Sequence, residues 1–368
     1  MVRGPVAALV VVAATGLAGC APSGPVPPQP TPGPTLLTLP VDVVAGTELR
    51  TADGRRLSLA WAGGGGQVVR VNAGWLVSRR DEGGIDVWLQ RPDGHRAELL
   101  SGVDAFVVSV DGERVAYQQD GALLVADLPA PGSAAPSLRV TARTTGAGRL
   151  EPSWLFPDLL VLSHSQTGGE PEAFDTWHWS KGPYHPSPVR PFRADGLAYA
   201  ARPLPGPPSL VGTESDDCLA LFDLEALEVR RRACGLPGLA GRPSVSPDGR
   251  WLLVRLDPRE DLNPREELDP PEESVYEGSP VGVVDLRAAF DGSAGSPVAG
   301  IWSVDPDLFA DIGACVWPDD STALCAATGG LVRLRMDRPG GAEFLPVDSS
   351  SQAPYAAVMV VPVQDLRR

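Results

Sequence analysis

Short apolar runs along this chain are broken at intervals by tight turn signals. The clearest case is Pro243-Ser244-Val245-Ser246-Pro247-Asp248-Gly249-Arg250-Trp251-Leu252-Leu253-Val254. One run enters a Pro-Asp-Gly turn and a second leaves it, the pattern of a β-hairpin: Pro presets φ, the Asp side chain caps the turn, and Gly takes a positive φ. Weaker copies recur. Gln67–Val71 and Trp75–Ser78 flank Asn72-Ala73-Gly74; Phe106–Ser109 and Arg114–Tyr117 flank Val110-Asp111-Gly112; Ser153–Phe156 and Leu159–Ser163 flank Pro157-Asp158. The fourth and weakest copy joins Leu197–Ala201 to Ser209–Gly212 across a Pro-rich turn. The opening stretch is the fifth, and Ala314–Trp317 with Ala323–Ala326 about Pro318-Asp319-Asp320 is the sixth.

Each copy is followed by a second hairpin. Its first strand is, in turn, Asp86–Gln90, Leu123–Leu128, Thr176–Ser180, Leu219–Leu224, Val281–Leu286 and Leu331–Met336. Polar turns such as Arg91-Pro92-Asp93-Gly94 come next, then a short outer strand. Two hairpins per unit, at a period of roughly 40–50 residues, make the four-stranded blade of a β-propeller. At the ends, Thr47–Thr51 and Arg55–Ala60 about Ala52-Asp53-Gly54 read as an outer hairpin without inner partners, and Tyr355–Val361 reads as an inner strand without outer ones. Joined, with Leu36–Val44 as a further strand, they form a composite seventh blade that closes the ring and removes open edges. The expectation is an all-β propeller of seven four-stranded blades over residues 41–368; six blades, with the ends packed on the rim, is the alternative.

Composition agrees with many turns and few helices: 41 Gly and 39 Pro are scattered in short clusters, and long amphipathic helical periodicity is absent. The run Val245-Ser246-Pro247-Asp248-Gly249-Arg250-Trp251-Leu252-Leu253-Val254 resembles the repeat of TolB-type propellers, where a Ser-Pro-Asp-Gly turn joins the two inner strands. Ser109-Val110-Asp111-Gly112 and Trp317-Pro318-Asp319-Asp320 are degraded versions. The resemblance covers the repeats from about Val41 onward and implies the propeller fold. It does not extend to the α/β domain that precedes the TolB propeller, since a Pro-rich stretch stands there instead.

The N-terminus adds an address. Met1-Val2-Arg3, an apolar run from Val6 to Leu17 and Leu17-Ala18-Gly19-Cys20 follow one another. An apolar run this short suits a signal peptide better than a mature membrane span. Leu-Ala-Gly-Cys resembles the bacterial lipobox, which implies cleavage after residue 19 and lipidation of Cys20. Residues 20–40 then form a Pro-rich tether in extended polyproline II. The expected protein is extracytoplasmic, held on the bacterial cell membrane through Cys20.

Four further cysteines, Cys218, Cys234, Cys315 and Cys325, are an even set in an exported chain. Cys218 and Cys234 are symmetric about a turn centred on Ala226, and Cys315 and Cys325 about Asp320, so each pair can face across a hairpin. Disulfides Cys218–Cys234 and Cys315–Cys325 are expected; four buried thiols are the alternative, and the spacing fits no metal motif.

Formal charge is −15, which excludes nucleic acid as a general partner. The acids concentrate in the loops between the second and third strands of the blades: Asp81 and Glu82, Asp120, Glu170 and Glu172, then Glu214, Asp216 and Asp217. The longest such loop, Asp257–Glu277, holds nine acids against Arg259 and Arg265, a net of −7. Its Glu266, Glu267, Asp269, Glu272 and Glu273 are candidate contacts for a basic protein partner; a solvated insertion is the alternative. Asp261-Leu262-Asn263-Pro264-Arg265 does not follow the EF-hand pattern. His164, His178 and His185 lack metal spacing, and Trp177 and Trp179 are read as rings buried between blades rather than a sugar platform. No Gly-x-Ser-x-Gly elbow or phosphate loop occurs. No catalytic residue, metal or cofactor is assigned. The function expected is a monomeric binding or scaffold module of the cell envelope; an envelope hydrolase or lyase acting on a glycan or ester through channel acids, and a purely structural lipoprotein, are the alternatives.

Overall fold

The computed structural model describes residues 41–360 except 64–65, 110, 135, 146–149, 165–173, 187–208, 216–217, 227, 237–238, 257–280, 292–297, 303–314, 328–329, 339–341 and 348–357. Every described sheet is antiparallel between neighbouring strands. Blade I comprises β4 (Val68–Val71), β5 (Gly74–Asp81), β6 (Gly84–Gln90) and β7 (Arg96–Val103). Blade II comprises β8 (Ala105–Val108), β9 (Arg114–Gln119), β10 (Ala122–Asp127) and β11 (Arg139–Thr145). Blade III shows β12 (Leu150–Leu155), β13 (Leu160–His164) and β14 (Phe174–Trp177), and blade IV shows β15 (Ser209–Ser215), β16 (Cys218–Asp223) and β17 (Glu228–Cys234). Blade V comprises β18 (Leu239–Val245), β19 (Trp251–Leu256), β20 (Val281–Asp285) and β21 (Val298–Trp302). Blade VI comprises β22 (Val316–Asp319), β23 (Thr322–Ala327), β24 (Gly330–Arg335) and β25 (Ala342–Pro346).

The last sheet is the composite one: β26 (Val358–Val360) pairs with β1 (Val43–Ala45), followed by β2 (Glu48–Arg50) and β3 (Arg56–Ser58). The register sets Val43 opposite Val360, Val44 opposite Met359 and Ala45 opposite Val358. This is blade VII, and the protein is a seven-bladed β-propeller.

The core is distributed over the junctions between blades. Among the described residues seven apolar clusters occur, one at each junction: Leu49 and Leu59 with Trp75 and Val77 (VII–I); Leu76 and Leu89 with Val115 and Tyr117 (I–II); Leu123 and Val125 with Leu160 and Leu162 (II–III). Leu159 and Val161 meet Leu210 and Phe222 (III–IV), and Val211 and Leu219 meet Leu252 and Val254 (IV–V). Leu253 and Val283 meet Trp317 and Cys325 (V–VI), and Leu324 and Leu331 meet Val43 and Ala45 (VI–VII). Side chains alternate between the two faces of a strand. Within β19, Leu252 therefore faces blade IV while Leu253 faces blade VI. Both faces are buried, which is why Leu159-Leu160-Val161-Leu162 and Trp251-Leu252-Leu253-Val254 are unbroken apolar runs.

A shared device closes three of the hairpins. In Ser246-Pro247-Asp248-Gly249, the Ser246 hydroxyl donates to Asp248 Oδ1 (2.6 Å) and accepts the Trp251 N–H (2.9 Å), while Gly249 N–H reaches the Ser246 carbonyl (2.9 Å). Ser109 donates to Asp111 Oδ1 (2.5 Å) and accepts from Arg114 N–H (2.9 Å); Thr51 does the same with Asp53 and Arg55 N–H. The hydroxyl sits inside the ladder as an extra rung, the Asp orients it, and Gly supplies the left-handed residue, φ 67° at Gly249.

Both expected disulfides are present. Cys218 and Cys234 are opposite each other in the β16–β17 register, with Cα atoms 4.0 Å apart, and Cys315 and Cys325 lie 4.1 Å apart. In the chain-entropy account, each loop closure of this length stabilises by about 3 kcal/mol.

Local differences from the sequence reading concern turns and one helix. The third strand of blade III runs Phe174–Trp177, two residues earlier than Thr176–Ser180, because Trp179 N–H and Lys181 N–H already close turns onto Trp177 and His178. β22 extends to Asp319 through a bulge between Val316 and Asp319, so Pro318 is taken into the strand end. In blade V a short helix, α1 (Leu286–Asp291), stands where a tight turn is expected. Asp285 caps it, accepting from Arg287 N–H (3.0 Å) and Ala288 N–H (3.1 Å), and Leu286 is buried in the IV–V junction.

The turn chemistry sets a stability test. Ser246→Ala leaves the Trp251 N–H without its acceptor and is expected to cost about 1–2 kcal/mol. Gly249→Ala, at positive φ, is expected to cost about 1 kcal/mol or more. Ala at exposed Glu225 is the control, and midpoints of urea unfolding read all three.

Candidate functional site

The sequence-predicted site residues divide between described and undescribed segments. Cys20 and the candidate contacts Glu266, Glu267, Asp269, Glu272 and Glu273 lie outside the described residues. So do Glu170, Glu172, Asp216 and Asp217, and the side chain of Glu214. Asp81 and Glu82 stand exposed at the β5–β6 turn, where Asp81 Oδ1 accepts the Gly83 N–H (2.8 Å). Asp120 begins the two-residue turn between β9 and β10 at φ 51°, followed by Gly121 at φ 71°; this is hairpin geometry for an Asp-Gly pair. Trp177 is buried at the II–III junction, and its Nε1–H donates to the Gly182 carbonyl (2.8 Å). Nearby, Tyr184 O–H donates to Asp175 Oδ2 (2.5 Å); burial, then this bond, pushes the phenol well above its ordinary range. Among the described residues, no group of three or more His, Cys, Asp or Glu could hold a metal ion.

The side chains that do converge on a cavity lie at the rim of the VII–I junction. On blade I, the register places Trp75, Gln90 and Arg96 in one cross-strand row and Val77, Trp88 and Glu98 in the next. Both rows belong to the face turned toward blade VII. At the inner end, Trp75 and Val77 pack against Leu49, Leu59 and Ala62. Toward the rim the apolar packing stops and aromatic rings and guanidinium groups replace it.

Blade VII contributes β3 and the single-turn 3₁₀ helix Ala60–Ala62 that follows it. Trp61 on that helix donates Nε1–H to the Ser58 carbonyl (3.1 Å), which fixes the indole plane. Its ring meets Trp88 edge to face, with centroids 5.2 Å apart and planes at 76°, the arrangement favoured by aromatic quadrupoles. Arg96 lies over Trp61 with its guanidinium carbon 4.8 Å from the ring centroid, and Arg79 lies over Trp88 at 5.2 Å. The result is a groove of about 480 Å³ lined by Arg56, Leu57, Ser58, Trp61, Gln90, Gly94, His95 and Arg96.

The floor is rigid. Gln90 is 3% exposed, and its Nε2 donates to the carbonyls of Arg91 (3.3 Å) and His95 (3.4 Å), holding the β6–β7 turn. Arg55 Nη1 donates to the Pro92 carbonyl (3.0 Å), tying the β2–β3 turn of blade VII to that same turn of blade I. The acids around the groove are mostly committed elsewhere. Glu48 pairs with Arg50 (2.8 Å) and Arg56 (3.7 Å). Asp86 accepts from Gly102 N–H (3.0 Å), the Ser101 hydroxyl (2.9 Å) and Arg79 (3.3 Å). Those donors hold its carboxyl below the usual range, the Gly102 N–H most of all. Glu98 is exposed. Arg96 is exposed and has no acidic partner within salt-bridge distance among the described residues.

Sequence reasoning placed Trp88 in a strand and Arg56 in an outer hairpin but did not join them. The signal available was weak: Trp61 sits just past the outer hairpin, and Trp88 breaks the polar side of Ile85–Gln90. Their meeting depends on which blades are neighbours.

No protein-family model matches the sequence, and no curated protein matches it. Among solved structures, a chain of Kuenenia stuttgartiensis hydrazine synthase is similar at 11% identity and a TM-score of 0.46, over 74% of this chain and 76% of that chain. The propeller assignment here rests on the strand pairing and the seven junction clusters of the chain itself.

Proposed function

We propose that this protein is a TolB-like, lipid-anchored propeller of the bacterial cell envelope that serves as a binding or scaffold module. The observation that carries the reading is the combination of a closed ring with two disulfides, a covalent feature of proteins matured in oxidising compartments. Leu17-Ala18-Gly19-Cys20 supports export and anchoring, and lipid chains attached there would hold the protein at a membrane at about 0.8 kcal/mol per buried methylene. Among the described residues, no helix is long and apolar enough to cross a membrane. A rigid ring presenting loops of varied length suits recognition more than chemistry, and the described charged side chains are largely engaged in turns and ion pairs.

Two outcomes are expected. In a bacterial host, the full-length chain incorporates a palmitate analogue and Cys20→Ala abolishes it; continued labelling of the variant would overturn the anchor. The Asp257–Glu277 loop, at a net −7, should steer a basic protein partner by a field that salt screens beyond about 8–10 Å. Replacing Glu266, Glu267, Glu272 and Glu273 with Gln is expected to leave folding intact and abolish capture of that partner from detergent-solubilised membranes at low salt. Equal capture by both proteins would make the loop a solvated insertion.

A further inference from the structure

We infer that the groove at the VII–I rim is a binding site for an acidic saccharide, one carrying carboxylate or sulfate groups. The inference deepens the binding-module reading and rests on it only for where such a ligand would be met.

The recognition chemistry follows from the lining. Trp61 is fixed by its bond to Ser58 and by Trp88, so an apolar surface is held ready without ordering cost on binding. The Arg96 guanidinium carbon lies 4.8 Å over that ring, and with no acidic partner within salt-bridge distance among the described residues its planar fork is available to a carboxylate or sulfate, which it can bind bidentately. Arg56 stands on the opposite wall, with His95 and Ser58 as further polar groups. A ligand for this groove must combine an apolar C–H face with anionic substituents, as a pyranose bearing an acid group does. A flat heteroaromatic ring fits less well, because of the two indoles only Trp61 lines the groove and Trp88 stands at 76° to it, which leaves no parallel slot. The volume of about 480 Å³ falls in the range of small-ligand sites, about 300–1,000 Å³. Sign is also informative: Arg96, without an acidic partner within salt-bridge distance among the described residues, and Arg56, 3.7 Å from Glu48, line one groove in a chain of net charge −15.

The test is titration calorimetry of the folded mature protein with four probes: a short oligouronate, a sulfated oligosaccharide, a neutral oligosaccharide of the same length, and inorganic sulfate. One or both acidic saccharides are expected to bind, and which one does so assigns the acid group. Affinity should fall with salt and drop by about tenfold or more in Arg96→Gln and in Arg56→Gln. Trp61→Leu should weaken binding, while Arg139→Gln, on the outer strand of blade II, should leave it unchanged. All these sites are exposed or partly exposed, and matched thermal midpoints establish that the variants fold. Equal binding of the neutral oligosaccharide, binding of sulfate as tight as that of the saccharides, or insensitivity to Arg96→Gln would each overturn the assignment, as would no binding by either acidic saccharide. Failure of the unsubstituted full-length chain to incorporate the palmitate analogue, or continued labelling of Cys20→Ala, with saccharide binding intact would instead overturn the envelope anchor and leave the groove.

Discussion

The pairing of β26 with β1 is the constraint on which the rest of this structure depends. A four-stranded sheet with two apolar faces cannot stand alone in water, so each blade needs a neighbour on both sides. Seven junction clusters satisfy that need only if the series returns to its start. Antiparallel bonds across Val43–Ala45 and Val358–Val360 join the two ends of the sequence in one sheet and leave no terminal blade with an open inner edge. The demand also explains the strand sequences: a strand buried on both faces must be apolar at successive positions, as in Leu159–Leu162.

Closure shapes the VII–I junction in particular. Asp42, 5% exposed, accepts from Ala52 N–H (2.8 Å), Arg70 Nη1 (2.8 Å) and Trp75 Nε1 (2.7 Å), binding the start of β1 to its own outer hairpin and to blade I. Such a charge is tolerated inside because three donors surround it. Arg70 in turn lies over Trp75 at 4.5 Å. The inner half of the junction is therefore locked, and the outer half holds the groove, with Arg96 over Trp61 at its lining and Trp88 against Trp61. Placement at the seam gives the groove one wall from each of two neighbouring blades, held together by the apolar cluster they share.

How much could be read from sequence follows from the range of each interaction. The Ser/Thr-x-Asp-Gly turns were legible because their chemistry is complete within six residues, as Ser246 to Trp251 shows. The disulfide pairings were legible because a hairpin converts symmetry about a turn into facing positions, as at Cys218 and Cys234. The composite blade was legible from unpaired half-blades at the two ends. Helix α1 was not, since Asp285 reads equally as a strand end and as a cap. Nor was the groove: Trp61 and Arg96 meet across a blade junction, and no local pattern encodes the neighbour of a rim residue.

Closure can be measured directly at Val44 and Met359, which face each other in the β1–β26 register. The double variant Val44→Cys, Met359→Cys is expected to form a cross-link on mild oxidation and to raise the thermal midpoint above that of the reduced form by several degrees, since it closes nearly the whole chain into one loop. Thiols at both positions that stay free and reactive in the folded protein would contradict the closed seven-bladed ring.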